Sequence, residues 1–230
     1  MSAAPPVRVL GVDACKRGWV AISNDGRGYF GATIHELMTA AEADDPVSVA
    51  AVDMPIGLPV ASVRESDALA RRLIGRRASS VFTTPVRAAI SAASHAEATA
   101  ISVRATGKGL SQQAFALSRK ILEIDAWARA ARCRVIEVHP EVCFATMNGA
   151  PLAHAKSTWA GVEERRRLLA QAGIAVPSDL GRAGAMAGVD DVLDAAAASW
   201  TARRLAEGTA ISHPTVPEEF GDGHRAAIWV

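Results

Sequence analysis

The sequence predicts an α/β protein built on a mixed sheet flanked by helices, and two observations carry this. "VRVLGVD" (7–13) and "VSVAAVD" (47–53) are runs apolar on both faces apart from Arg8, as expected of strands covered on both sides, and each ends in an aspartate. Between them lie "GWVAIS" (18–23) and "GYFGATI" (28–34), joined by "NDGR", whose Asn-Asp-Gly is a hairpin signal. A short helical stretch, "HELMTAAEA" (35–43), follows the hairpin. A strand, a crossover and a returning buried strand make the first and fourth strands a parallel pair.

Residues 60–132 read as a helical insertion after the fourth strand, including "SDALARRLIGRR" (66–77) and "SQQAFALSRKILEIDAWARAA" (111–131). "CRVIEVHPE" (133–141) is a fifth short strand, with Glu137 inside it and Glu141 just after the proline that ends it. A loop, a helix near 161–173 and a long helix over 188–208 come next. The turn-rich C-terminal segment ends in a short strand. With no repeat or linker to split it, the chain reads as one domain over 1–230. The element order is that of an RNase H-like fold: a five-stranded mixed sheet whose first strand is central, with the hairpin on one side and the fourth strand on the other.

Composition narrows the function classes. No apolar run approaches the ~20 residues that span a bilayer, so no membrane partner is expected. "MSAAPPVRVL" lacks the charged and apolar regions of a secretory signal. Cys15, Cys133 and Cys143 are widely spaced, without a CxxC pair. They fit reduced thiols in a cytoplasmic protein better than a disulfide frame or a zinc site. Residues 64–134 hold 13 Arg and Lys against 5 Asp and Glu, an excess that suits a polyanion or merely solvates helix faces.

The acidic residues carry the chemistry. If the strands ending in Asp13 and Asp53 are parallel neighbours, both carboxylates emerge at the C-terminal edge of the sheet, where open α/β sheets hold ligands. Two close carboxylates repel each other, and their natural partner is a hard divalent cation such as Mg²⁺ or Mn²⁺. Either aspartate alone is also an ordinary loop cap. In "DDVLDAAAASW", Asp190, Asp191 and Asp194 share a helix face. Asp190 and Asp191 suit a helix N-terminus. Asp194 lies a turn further in, beside small residues suited to packing on a sheet, and calls for a partner. Glu137 or Glu141 is a possible further ligand, and His139 is a candidate proton relay or a simple hydrogen-bonding group. Such carboxylates can hold two cations ~4 Å apart for phosphodiester cleavage.

Two signals fail. "TGKGLS" (106–111) is not a phosphate loop, because position 102 is Ser and Lys108 is followed by Gly109. Lys108 can still meet a phosphate backbone. No G-x-S-x-G occurs anywhere in the chain.

"GVDACKRGWV", "AVDMPIGLP", "SSVFTTPVR", "TGKGLSQQAF", "EVHPEVCFATMNG" and "DDVLDAAAASWTA" closely resemble the domain-of-unknown-function family 429, described as predicted RNase H-like nucleases. The resemblance runs from about Val7 to Trp229. It implies that fold and Mg²⁺-dependent phosphodiester hydrolysis. Asp13 and Asp53 match the first- and fourth-strand ligands of the superfamily. Asp191 and Asp194 match the helix pair of the Holliday-junction resolvases, which have no counterpart to "MPIGLP" or the basic insertion.

The expected function is therefore a nuclease with Mg²⁺ (or Mn²⁺), acting on nucleic acid, with the choice between DNA and RNA left open. Its catalytic candidates are Asp13, Asp53, Glu137, Asp191 and Asp194, with the four aspartates as metal ligands. Lys16, Arg76, Arg77, Lys108 and His139 are the candidate substrate contacts. Two rivals stand beside it. An actin-like phosphotransferase would need a duplicated half, and a catalytically idle module would use the basic insertion to bind nucleic acid or protein.

Overall fold

The computed structural model describes residues 7–230. Strands β1 (Val9–Cys15), β2 (Gly18–Ser23) and β3 (Gly28–Gly31) form the N-terminal hairpins, and helix α1 (Ile34–Glu42) leads to β4 (Val49–Val52). Helices α2 (Glu65–Ile74), α3 (Arg87–Ile90), α4 (His95–Thr106), α5 (Gln112–Ala116) and α6 (Ser118–Ala130) make up the insertion, with a 3-10 helix over Gly75–Ser80. Strand β5 (Arg134–Val138) is followed by α7 (Pro140–Asn148), α8 (Trp159–Gln171), α9 (Arg182–Met186) and the long α10 (Val189–Ala206). Strands β6 (Ser212–Glu219) and β7 (Arg225–Trp229) close the chain.

The sheet has seven strands rather than the expected five, in the order β3-β2-β1-β4-β5-β7-β6. It is mixed: β1 pairs antiparallel with β2 and parallel with β4, and β5 is parallel to both β4 and β7. The two additional places come from the C-terminal segment, read as turns with one short strand. It forms an antiparallel pair, with β6 at the sheet edge.

Side-chain alternation sorts the central strands onto two faces. Val9, Val49, Ala51, Ile136 and Val138 pack under α7, α8 and α10, while Leu10, Val12 and Val52 pack under α1 and α6. Ala195 to Ala198 are fully buried in α10, which lies directly on β1. Gly11 makes that close approach possible: a Cβ there would lie 1.9 Å from Ser199 N and 2.0 Å from Ala195 O. Residues read as a loop after β5 instead form α7, which Pro140 opens at a first-turn position where its missing N–H costs nothing. The predicted helix over 111–131 is divided at Leu117 into α5 and α6.

Candidate metal centre

Asp13 lies in β1 and Asp53 directly follows β4. Val12 pairs with Val52, and the Asp53 N–H donates to the Val12 carbonyl at 2.9 Å, so the two aspartates follow each other in register. Odd-numbered positions of β1 and β4 face α10, which brings both carboxylates under that helix. Because Gly11 lets α10 settle on β1, Asp194 comes down beside them. One ligand oxygen from each of Asp13, Asp53 and Asp194 lies within 4.8 Å of the other two.

The triad is short of donors. Asp13 is 6% exposed and, among the described residues, its side chain accepts one bond, from the Ala14 N–H at 2.7 Å. Asp194 is 3% exposed; its Oδ2 accepts from Lys156 Nζ at 2.6 Å, and its Oδ1 is buried with no partner among the described residues. Burial, reinforced by Asp53 and Asp194, raises the Asp13 carboxyl well above the usual range. Burial and then Asp194 do the same for Asp53. Burial lifts Asp194 to about 6 against the opposing pull of Lys156. Converging carboxylates that resist ionisation together are what an oxygen-seeking divalent cation relieves.

The remaining aspartates stand at the rim. Asp191 Oδ2 accepts from the Gly188 N–H at 2.9 Å, capping α10, and Asp190 lies 3.6 Å from Lys156 Nζ. Asp191 lines the same cleft as the triad but is outside the set of mutually close ligand atoms.

The structure does not bring Glu137 and Glu141 into the cluster. Glu137 is one residue out of phase with Ile136 and Val138, so it points to the opposite face of β5 from α10. There Arg64, whose side chain is wholly buried, donates to Glu137 Oε2 at 2.8 Å, and the Ile56 N–H donates to the same oxygen at 2.7 Å. Arg64 also bonds Asp67, which in turn accepts from the Thr84 N–H at 2.7 Å. This network ties the insertion to β5. Glu141 is ion-paired with the buried Arg165 and lies 3.7 Å from Arg77 Nε.

The candidate substrate contacts divide as well. Arg76, Arg77 and His139 line the triad's cleft, whose volume is about 420 Å³. Arg76 and Arg77 also hydrogen-bond carbonyls of the 152–153 loop, and Arg71 bonds the Val81 carbonyl, so these arginines fasten loops as well as carrying charge. His139 Nε2 faces the Ser80 carbonyl at 3.4 Å; its Nδ1 is buried without a partner among the described residues, and burial pushes its pKa down. Lys16 is exposed in the β1–β2 turn, and Lys108 is exposed after α4; neither lines the cleft.

Sequence reasoning missed Lys156 altogether. It stands in a loop between α7 and α8, where nothing local distinguishes it from any solvent-facing lysine. The neighbouring acids raise its pKa despite partial burial.

No described helix is long and apolar enough to cross a membrane. Comparison with curated proteins and with solved structures finds no match. The family profile described as "Protein of unknown function (DUF429)" matches residues 11–219 and so takes in Asp13, Asp53, Lys156 and Asp194 together. The chain belongs to the DUF429 family.

Proposed function

We propose that this chain has an RNase H-like fold and is a divalent-metal-dependent nuclease that hydrolyses phosphodiester bonds in nucleic acid. The arrangement β3-β2-β1-β4-β5, with a long helix packed on the central strand, supports the fold reading. The observation that carries the function is the triad. Three carboxylates from separated segments, Asp13 and Asp194 buried and Asp53 half-buried, converge within 4.8 Å, and the unpartnered Asp194 Oδ1 offers a free ligand atom.

Asp13, Asp53 and Asp194 would hold Mg²⁺ or Mn²⁺, which when bound supplies an activated water and stabilises a leaving oxygen. Asp191 stands at the rim to orient water or substrate. Lys156 occupies a position of positive charge beside Asp194, where it balances part of the triad's charge and can meet a phosphate oxygen. Arg76 and Arg77 present cationic groups toward a substrate phosphate. His139, held neutral by burial, offers an imidazole for proton transfer at the cleft. In the overall reaction water adds to phosphorus, a P–O ester bond breaks, and the departing oxygen gains a proton.

The test is a panel of single-stranded, duplex, hybrid and branched nucleic acids incubated with each metal. Cleavage that needs Mg²⁺ or Mn²⁺ supports the reading, and inactivity of a folded sample across the panel defeats it.

A further inference from the structure

The cleft above the triad is small and walled. Its floor is the sheet edge carrying Asp13 and Asp53. The 3-10 helix with Arg76 and Arg77 leads into Phe82 on one wall; Gln113 and Leu117 of the insertion, and the loop carrying Lys156, supply others. At about 420 Å³ it falls within the roughly 300–1,000 Å³ of small-molecule sites. The lining is also divided in character. The carboxylates, Lys156 and the arginines gather polar chemistry, while Met54, Phe82 and Leu117 add apolar surface. A nucleotide joins an anionic phosphate, through a sugar, to a flat base whose ring face stacks on apolar or aromatic surface.

We infer that this cleft takes one nucleotide unit at a time, the end of a chain or a free mononucleotide, with its phosphate at the triad and its base against Phe82. The inference rests on the nuclease reading and names the substrate form of the same site. An internal phosphodiester must enter with chain leaving in two directions, whereas residues of the insertion and of the Lys156 loop line the same cleft as the triad. Asp13 and Asp194, which line this cleft, are only 6% and 3% exposed. A chain end needs one exit. Base stacking on an aromatic ring is tolerant of sequence, so the site would show little base preference.

The test uses the full-length wild-type protein in Mn²⁺ with a short linear single strand and a covalently closed circle of the same sequence. In parallel, binding of a 5′-mononucleotide is followed by calorimetry in Mg²⁺. The expected result is release of mononucleotides from the linear strand, an intact circle, and saturable mononucleotide binding that Phe82→Ala weakens roughly tenfold. Opening of the circle as fast as loss of the linear strand overturns the inference and leaves the nuclease reading standing. Mononucleotide binding with neither strand cut supports the one-unit cleft and defeats the nuclease reading. Neither cleavage nor mononucleotide binding overturns both. Should Phe82→Ala fail to fold, Leu117→Ala, also in the apolar part of the lining, serves the same comparison.

Discussion

Lys156 Nζ lies 2.6 Å from Asp194 Oδ2, while the other oxygen of that carboxylate is buried with no partner among the described residues. A protein cation thus sits on one side of the acidic triad and leaves the other side unpaired. The ammonium offsets repulsion among three carboxylates, and it competes with any metal for Asp194. Lys156→Met should therefore lower the stability of the metal-free protein, by about 1 kcal/mol for a partly exposed ion pair. The same change should tighten Mn²⁺ binding, measured by calorimetry. Weaker Mn²⁺ binding in the variant would make Lys156 a support for the ligands rather than a competitor.

Asp53 accepts no side-chain hydrogen bond among the described residues, so its charge is mostly a cost to the metal-free fold. Its folded pKa is raised, chiefly by burial and then by Asp194. A raised carboxyl contributes stability that is fully present below the unfolded pKa, about 3.9, and is lost as pH rises through the folded pKa. Asp53→Asn should then match wild type near pH 4 and become the more stable protein as pH climbs toward neutrality. Saturating Mg²⁺ should reverse the order, because a ligand at 100 times its dissociation constant adds ~2.7 kcal/mol to wild type. That corresponds to a rise of several degrees, at ~2–4 °C per kcal/mol for a chain of this length. Thermal melts across pH, with and without Mg²⁺, check both halves. A variant less stable than wild type at neutral pH without metal would make Asp53 a structural cap.

Gly11 controls the approach of α10 to β1. An added Cβ meets the backbone at Ser199 N and Ala195 O, which cannot rotate away as a side chain can. Gly11→Ala should cost about 1–3 kcal/mol, as overpacking does. It should also weaken metal binding, because the displaced helix carries Asp194. Retained metal affinity in a folded Gly11→Ala protein would show that the metal site does not depend on the close approach of α10 to β1.

Much of the triad was legible because its parts obey local rules. Asp13 and Asp53 close the apolar runs 7–13 and 47–53, and that pattern places them side by side at one sheet edge, although β1 continues to Cys15. Asp194 stood out as an acid among alanines that had to pack. Glu137 was a less secure candidate, and a strand's period of two turns it to the opposite face, where its partner Arg64 is far away in sequence. Strand β6 was hidden by Pro214 and Pro217, which cannot donate to a ladder and are tolerated only because β6 lies at the sheet edge. Lys156 carried no signal, since its importance arises only when a loop folds over the acids.

Glu137 and Arg64 offer the contrasting case of buried charges that hold the fold together. Glu137→Ala leaves the wholly buried Arg64 with Asp67 as its one carboxylate partner among the described residues, and removing one partner of a buried ion pair costs about 3–5 kcal/mol. Denaturant unfolding should show that loss. Metal affinity below the unfolding transition should stay near wild type. A large loss of Mn²⁺ affinity in folded Glu137→Ala would return Glu137 to the ligand set.

The most direct measurement places wild type and Asp13→Asn side by side with an end-labelled single-stranded oligonucleotide in Mg²⁺ or Mn²⁺, with folding of both verified by thermal melting. The account predicts metal-dependent shortening of the strand by wild type and none by Asp13→Asn, whose fold remains intact. Equal cleavage by the two proteins, or cleavage by neither in either metal, would contradict it.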